Sequence, residues 1–414
     1  MQRVERHIIV NNKEIKHLCW LSKNLYNYAN FILRHVYMNC HEDIKDYSDL
    51  IVSFEYNEKI YYRIDEYALT QRLAKINQVD YRALPAQISQ QVIKLLYRNW
   101  NSFFKAIKIY HKNKDRFGGK PKLPKYKNKN GQNIVIFTNQ SAKLKDGKIY
   151  FPKVTGLKPI TTKTDNLKQV RITPQATCHI MEVVYDKKTE QKEVDEKLYL
   201  SVDLGVNNLA TCITNAGLTP FVVNGKIIKS INQYFNKTKA LYQAFVGSKG
   251  TSVRINRITH KRNQKIIDYL HKTSRFIVDY CMENKIGNIV IGYNKEWKRG
   301  INIGKTNNQK FVFIPFEKLV SMIEYKSEEV GIKVIRQEES YTSKCDSLAY
   351  ETLTKQDNYL GRRIKRGLFK SSTENLVNAD INGALNILRK VIGDSFIRNL
   401  VDRGVGITPY RLNC

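Results

Sequence analysis

Acidic residues at three places along the chain carry the chemistry for which this sequence can be read. Asp203 lies inside the apolar run Leu198-Tyr199-Leu200-Ser201-Val202-Asp203-Leu204. Glu338 and Glu339 come at the end of a second run, Ile332 to Thr342. Asp380 opens the amphipathic stretch Asn378-Ala379-Asp380-Ile381-Asn382-Gly383-Ala384-Leu385. Each has an ordinary explanation by itself. Asp203 can cap the turn at Gly205, and Asp380 sits in a first helical turn, where the macrodipole favours an anion. A carboxylate within an apolar strand is nevertheless costly unless it is paired, hydrogen-bonded or bound to a cation. Two or three carboxylates at one point repel each other unless divalent ions join them. Mg²⁺ (or Mn²⁺) takes hard oxygen ligands and leaves positions for water and phosphate. Two such ions can activate a water and stabilise a leaving 3′-oxygen, which is the chemistry of phosphodiester hydrolysis.

The elements that must position these acids read as follows. Leu198, Leu200, Val202 and Leu204 alternate as in a strand,. Gly205 and Asn207-Asn208 allow a turn, and Leu209 to Thr214 and Phe221 to Val223 continue a three-strand meander,. A meander with an acid on its first strand is how a ribonuclease-H-like sheet begins. Residues 231–283 are helical and broken at Gly247-Ser248-Lys249-Gly250; Asn288 to Gly292 is a buried strand; 293–314 is a Lys- and Asn-rich loop; Phe316 to Val330 is an amphipathic helix; Ile332 to Thr342 is a strand,.

Composition limits the partners. The chain has 414 residues, enough for two or three domains, and a formal net charge of +32,. Such an excess implies a polyanion, with nucleic acid ahead of an anionic membrane, because the basic residues are spread through folded elements. No run approaches 18 unbroken apolar residues, and Met1 to Arg6 lacks a signal-peptide core, so a cytoplasmic protein is expected,. The seven cysteines are scattered and none forms a Cys-x-x-Cys pair,.

The N-terminal half begins with a β-like run, Val4 to Val10, and a helix with Leu18, Leu21, Leu25, Tyr28 and Ile32 on one face,. A further helix starts at Pro85, with Ile88, Val92, Leu95, Leu96, Trp100, Phe103 and Ile107 along one face,. Between Lys105 and Lys129 there are ten Lys or Arg and one Asp, and Lys120, Lys122, Lys125 and Tyr126 sit there among Gly and Pro. Basic residues interleaved with aromatics suit a nucleic-acid backbone and its bases. Residues 133–190 read as short strands of a small barrel,. Arg254, Arg257 and Lys261 on a helix, and Arg362, Arg363, Lys365 and Arg366 in a basic excursion, add further nucleic-acid contacts.

Asp203-Leu204-Gly205-Val206-Asn207-Asn208, Tyr341-Thr342-Ser343-Lys344 and Asn378 to Ile387 resemble the RuvC segments of the TnpB proteins of bacterial insertion sequences, the ancestors of type V CRISPR effectors. Leu84-Pro85-Ala86-Gln87 through Tyr126 is similar to the same family. The resemblance implies an α/β multidomain fold: a wedge β-barrel (1–12 and 111–190) with an inserted helical recognition lobe (13–110), then a ribonuclease-H-like RuvC nuclease domain (196–342 and 376–402) carrying a basic insertion at 343–375, and a C-terminal tail at 403–414. It implies RNA-guided DNA cleavage next to a short adjacent motif, with a guide RNA from the element's end, a double-stranded DNA target and a monomer on RNA, acting at the nucleoid. Asp203 and Asp380 are then metal-binding acids.

Two departures follow. The second acid of most relatives ends the Ile289–Ile291 strand, and Gly292 stands there. Strands neighbour at about 4.8 Å, within reach of a Glu, so a late-strand acid can replace it. Adjacent strand residues point to opposite faces, so one of the pair does so. Glu339, next to Ser340-Tyr341-Thr342-Ser343, is preferred, with Glu338 as the alternate. Many relatives insert a zinc finger after Thr-Ser-Lys; only Cys345 is present, so no zinc is expected. The rival reading, favoured by Gly292, is a nuclease-inactive RNA-guided repressor of the same architecture. A transposase joining DNA itself is a third.

Overall fold

Strand β1 (Gln2–Ile9) alternates in exposure along its length, the pattern of a strand buried on one side,. The computed structural model describes residues 1–56, 59–248, 250–294, 313–402 and 408–414. Most of the loop expected over 293–314, and residues 403–407 of the expected tail, lie outside the described residues. The chain divides into two units, Met1–Lys187 and Lys188–Cys414.

In the first unit, α1 (Lys13–Tyr37) is capped by Asn12, whose Oδ1 accepts from the Ile15 amide at 2.6 Å,. A hairpin follows, β2 (Ile51–Tyr56) and β3 (Lys59–Ile64), within the span that the resemblance assigns to a helical recognition lobe. Helices α2 (Glu66–Lys75), α3 (Val79–Ala83) and α4 (Ala86–Lys112) come next. The strands after them are β4 (Val135–Thr138), β5 (Lys143–Lys145), β6 (Lys148–Tyr150), β7 (Ile160–Thr161), β8 (Gln169–Pro174) and β9 (His179–Asp186). They form an open sheet β1-β9-β8-β4 and a separate sheet β5-β6-β7 instead of one hydrogen-bonded barrel. β1 and β4 remain edges because no described strand joins them. Ile15, Leu18, Leu25, Ile88, Val92 and Trp100 from the helices pack with Phe137, Val170 and Val183 from the sheet.

The second unit begins with the meander β10 (Asp195–Leu204), β11 (Asn208–Thr214) and β12 (Phe221–Asn224). Then come α5 (Lys226–Val246), α6 (Val253–Glu283), β13 (Ile286–Gly292), α7 (Phe316–Val330) and β14 (Lys333–Gln337). After β15 (Arg362–Lys365), β16 (Leu368–Lys370) and β17 (Leu376–Asn378) the chain ends in α8 (Ala379–Ile392), α9 (Ser395–Asp402) and β18 (Tyr410–Leu412). The main sheet runs β14-β13-β10-β11-β12-β18, with β13 parallel to β10 and to β14. Both faces are covered. Leu200, Val202, Leu204, Ile289 and Ile291 pack with Ile266, Leu270, Phe316 and Ile323 of α6 and α7. Ile213 and Val290, out of phase with these, pack with Ile381, Leu385 and Leu388 of α8,. β13 is buried along its whole length, which is why it reads as an unbroken apolar run,.

Two expectations change here. The strand expected over Ile332–Thr342 ends at Gln337, so Glu338 and Glu339 lie beyond it and strand alternation does not set their directions. Tyr410–Leu412, expected to be tail, pairs in parallel with β12 as an edge strand. None of the helices among the described residues is long and apolar enough to cross a membrane.

The insertion at 343–375 is built around a buried carboxylate. Asp346 accepts from the Leu348 and Ala349 amides, from Ser371 Oγ at 2.8 and 2.9 Å and from the Ser372 amide at 2.7 Å. Glu351 bridges the Asp346 and Leu360 amides at 2.7 and 2.9 Å. These bonds tie two turns together through side-chain oxygens alone. Asp346→Ala leaves several buried donors unpaired, and a loss on the order of 3 kcal/mol is expected, read as earlier unfolding in urea. A zinc chelator should leave the wild-type melt unchanged; a chelator-dependent drop would show that metal holds this segment.

Candidate metal centre

Asp203 and Ser201 project from β10 towards α8, opposite in phase to Leu200, Val202 and Leu204,. Ser201 Oγ donates to the Ala384 carbonyl at 2.7 Å, which fixes the helix against the strand. The approach depends on two missing side chains. A Cβ on Gly383 would stand 2.8 Å from Asp203 Oδ2. A Cβ on Gly292 would stand 2.5 Å from Ile387 Cδ1 and 2.7 Å from Glu339 Oε2. Glu339 therefore reaches into the space that a side chain at 292 would fill.

Glu339 is held there by Asn294, whose Nδ2 donates to Oε1 at 3.1 Å and whose Oδ1 accepts from the Glu339 amide at 3.3 Å. Glu338 is exposed and turns elsewhere, pairing with Lys390 Nζ at 3.1 Å and accepting from the Ser340 amide at 2.9 Å. Asp380 is in the first turn of α8, capped by Asn378, whose Oδ1 accepts from the Asp380 amide at 3.0 Å,. Its Oδ2 accepts from Asn208 Nδ2 at 2.7 Å, and its Oδ1 lies 3.7 Å from Arg363 Nη2.

The electrostatics follow from this crowding. Burial, then the charges of Glu339 and Asp380, push the Asp203 carboxyl well above its ordinary range, and Arg363 opposes them,. Burial, and then Glu338, push Glu339 up to about 7, with Lys390 opposing. Three acids from β10, the loop after β14 and the start of α8 thus share one electrostatic neighbourhood. They are not drawn into a closed cage: among the described residues no three His, Cys, Asp or Glu side chains stand as a ready metal site. The donors are nevertheless carboxylate oxygens that suit a hard divalent cation. A further oxygen beside them, Asn208 Oδ1, is buried with no hydrogen-bond partner.

The basic positions are all exposed. Arg254, Arg257 and Lys261 share one face of α6, and Arg362, Arg363, Lys365 and Arg366 lie on or just after β15. Lys120, Lys122, Lys125 and Tyr126 lie on a strap whose backbone is bound by α1: Asn30 and Arg34 donate to the Pro124 carbonyl, and Asn27 both donates to and accepts from Lys127. Arg34 also stacks 5.0 Å from the Tyr126 ring. Sequence reasoning missed Asn208, read only as a turn residue, and Asn294; a polar side chain two residues past the Gly292 strand end was the available signal.

Residues 182–298 match the family OrfB_IS605, described as a probable transposase, and residues 316–387 match the Cas12f1-like TNB domain. Among curated proteins, the TnpB-like protein ORF457 of Acidianus two-tailed virus is 26% identical over 205 residues, 47% of this chain and 42% of that one. Over these segments the chain is similar to TnpB-type proteins. A second relative, the CRISPR-associated endodeoxyribonuclease Cas12f2 of a Micrarchaeota archaeon, is 26% identical over 212 residues, 47% of this chain and 37% of that protein. The chain thus matches only about two-fifths of the length of these curated relatives. In fold, the chain resembles the protein in a cryo-EM structure of a Cas12f1-sgRNA-target DNA complex, with a TM-score of 0.52 at 17% identity, covering 90% of this chain and 81% of that one. It shares that mixed α/β multidomain fold.

Gly383 separates geometry from stability. Gly383→Ala raises helix propensity by about 1 kcal/mol but pushes against Asp203. Mn²⁺ binding at the acids should weaken on the order of tenfold while the circular dichroism spectrum is retained; unchanged Mn²⁺ affinity would show that the close approach is dispensable. Glu339→Gln should weaken Mn²⁺ binding by at least about tenfold and Glu338→Gln should not. Equal effects of the two would remove the distinction between them.

Proposed function

We propose that this protein is an RNA-guided, divalent-metal-dependent DNA endonuclease of a transposable element, acting in the cytoplasm at the nucleoid as a monomer on its guide RNA. The observation that supports the reading is that Asp203 and Glu339 each face a glycine that leaves room for the carboxylate, with Asp380 close enough to Asp203 for their charges to interact. The names of the relatives support it, one being an endodeoxyribonuclease and another a protein in complex with guide RNA and target DNA.

In this reading Asp203, Glu339 and Asp380 hold one or two Mg²⁺ or Mn²⁺ ions. When bound, such ions activate a water and offset charge on the leaving 3′-oxygen. The protein's own groups do the positioning. Asn294 sets the Glu339 carboxylate, and Asn208 and the helix N-terminus set Asp380. Arg363, half exposed beside Asp380, can meet a backbone phosphate with its guanidinium and keep it against the acids,. The strap from Lys120 to Tyr126, the Arg254–Lys261 face and the Arg362–Arg366 turn bind the sugar-phosphate backbone without reading sequence. The paired sheets of the first unit serve as the wedge and its helices as the recognition lobe, which together select the short adjacent motif.

The rival, an RNA-guided repressor with no nuclease activity, rests on Gly292. Expression with the native flanking DNA, sequencing of the co-purified RNA and incubation with matching plasmid separates the two. The expected result is one discrete RNA ending in foreign sequence and cleavage that Asp203→Ala abolishes without loss of RNA. RNA without cleavage in the wild type would leave the repressor. The absence of a discrete RNA would remove the guided reading.

A further inference from the structure

We propose that Asn208 is a member of the cation site, its amide nitrogen fixing Asp380 and its amide oxygen supplying a neutral ligand to the bound cation or to a water on it. The proposal deepens the nuclease reading and rests on it. Asn208 is 8% exposed. Its Nδ2 donates to Asp380 Oδ2 at 2.7 Å. A carboxylate oxygen accepts, so the nitrogen must face Asp380 and the amide cannot be turned over without opposing two oxygens. The orientation leaves Oδ1 buried beside the acids with no donor. A buried amide oxygen without a partner costs on the order of 1–3 kcal/mol. Side-chain amide oxygens are ordinary ligands of hard divalent cations and of the waters those cations retain.

The backbone around Asn208 is arranged to bring it there. The turn from β10 to β11 is tight enough that a Cβ on Gly205 would lie 2.7 Å from the Asn208 carbonyl oxygen. A Cβ on Gly225 would lie 2.4 Å from the Val206 carbonyl oxygen and 3.0 Å from that of Asn207, and the Gly225 amide donates to Asn207 at 2.8 Å. Two glycines are thus committed to a turn that carries Asn208 back beside Asp380 at the end of the neighbouring strand. A residue serving only as a turn former would be placed equally well with its side chain in solvent.

The test is Mn²⁺ uptake by the full-length protein without substrate, read by electron paramagnetic resonance of the free ion and by the Mn²⁺-induced rise in melting temperature. Wild type, Asp203→Ala, Asn208→Ala and Asn208→Asp are compared. Asn208→Ala is expected to weaken Mn²⁺ binding by about tenfold. Asn208→Asp keeps an oxygen but loses the donor to Asp380 and adds a like charge, so the metal-free protein should melt lower and Mn²⁺ should raise its melting temperature more than it does for wild type. Wild-type Mn²⁺ affinity in Asn208→Ala would overturn the proposal. Loss of the Mn²⁺ response in Asn208→Asp would also overturn it, since it would leave the amide only its bond to Asp380. This second variant decides the matter if Asn208→Ala does not fold. A wild-type Mn²⁺ response unchanged by Asp203→Ala would instead remove the acid cluster as a metal site, and this proposal with it.

Discussion

The second unit depends on how closely α8 approaches the sheet. Ser201 reaches the backbone of α8 directly, and Gly383 faces Asp203 with no side chain between them. At the next strand Gly292 gives way to Ile387 of the same helix. This closeness has an electrostatic cost, because the same contact holds a half-buried Asp203 near the charges of Glu339 and Asp380. Repulsion of that kind is not a device for stability, since a half-buried like-charge cluster is unfavourable until a cation enters it,. Glycine at 383 also forgoes about 1 kcal/mol of helix propensity. Packing against Ile387 accounts for glycine at 292, whereas at 383 the atom in the way is the Asp203 carboxylate itself.

The polar stripe on α8 shows how Glu339 can serve without standing on a strand. Asn382, Asn386 and Arg389 are buried at helical spacing,. Asn386 Nδ2 donates to the carbonyls of Thr342 and Cys345, Asn382 bridges the Cys345 carbonyl and the Ser347 amide, and Arg389 donates to the Glu351 carbonyl. The turn after Glu339 is thereby fixed to the helix that also carries Asp380. Within it Tyr341 takes a φ of 66°, an uncommon conformation for a bulky residue, and Thr342 Oγ1 donates back to the Glu339 carbonyl at 2.8 Å,. Two of the three acids therefore take their positions from one helix, and the third faces its glycine.

Much of this was legible in the sequence because periodicity reports burial. The alternation in β10, the unbroken apolar run of β13 and the helical stripes of α6 and α7 follow directly from which faces are covered, and the observed helix Phe316–Val330 has the expected bounds. The hairpin β2–β3 was not legible, since its alternation is weak: Val52, Phe54 and Ile60 are exposed. Nor was the parallel pairing of Tyr410–Leu412 with β12, because an edge strand of three residues has no period to read. The Asp346 hub was equally hidden. Its partners, Ser371 and Ser372, lie 25 and 26 residues away in the chain, and no local rule links a carboxylate to distant serines.

The site itself shows where residue identity and residue position part company. Reading Glu339 by strand alternation used a premise the structure does not keep, since the strand has ended by Gln337. The direction of Glu339 comes instead from Asn294 on one side and from space at Gly292 on the other. An acid supplied from position 292 would grow from the middle of a packed sheet, with Ile387 against it. An acid supplied from 339 arrives from a turn, and its carboxylate can meet the same point only if 292 has no side chain. The glycine and the glutamate thus share one point in space, the carboxylate lying where a side chain at 292 would begin. This coupling makes Gly292 compatible with an intact centre, although taken alone it reads as the loss of one.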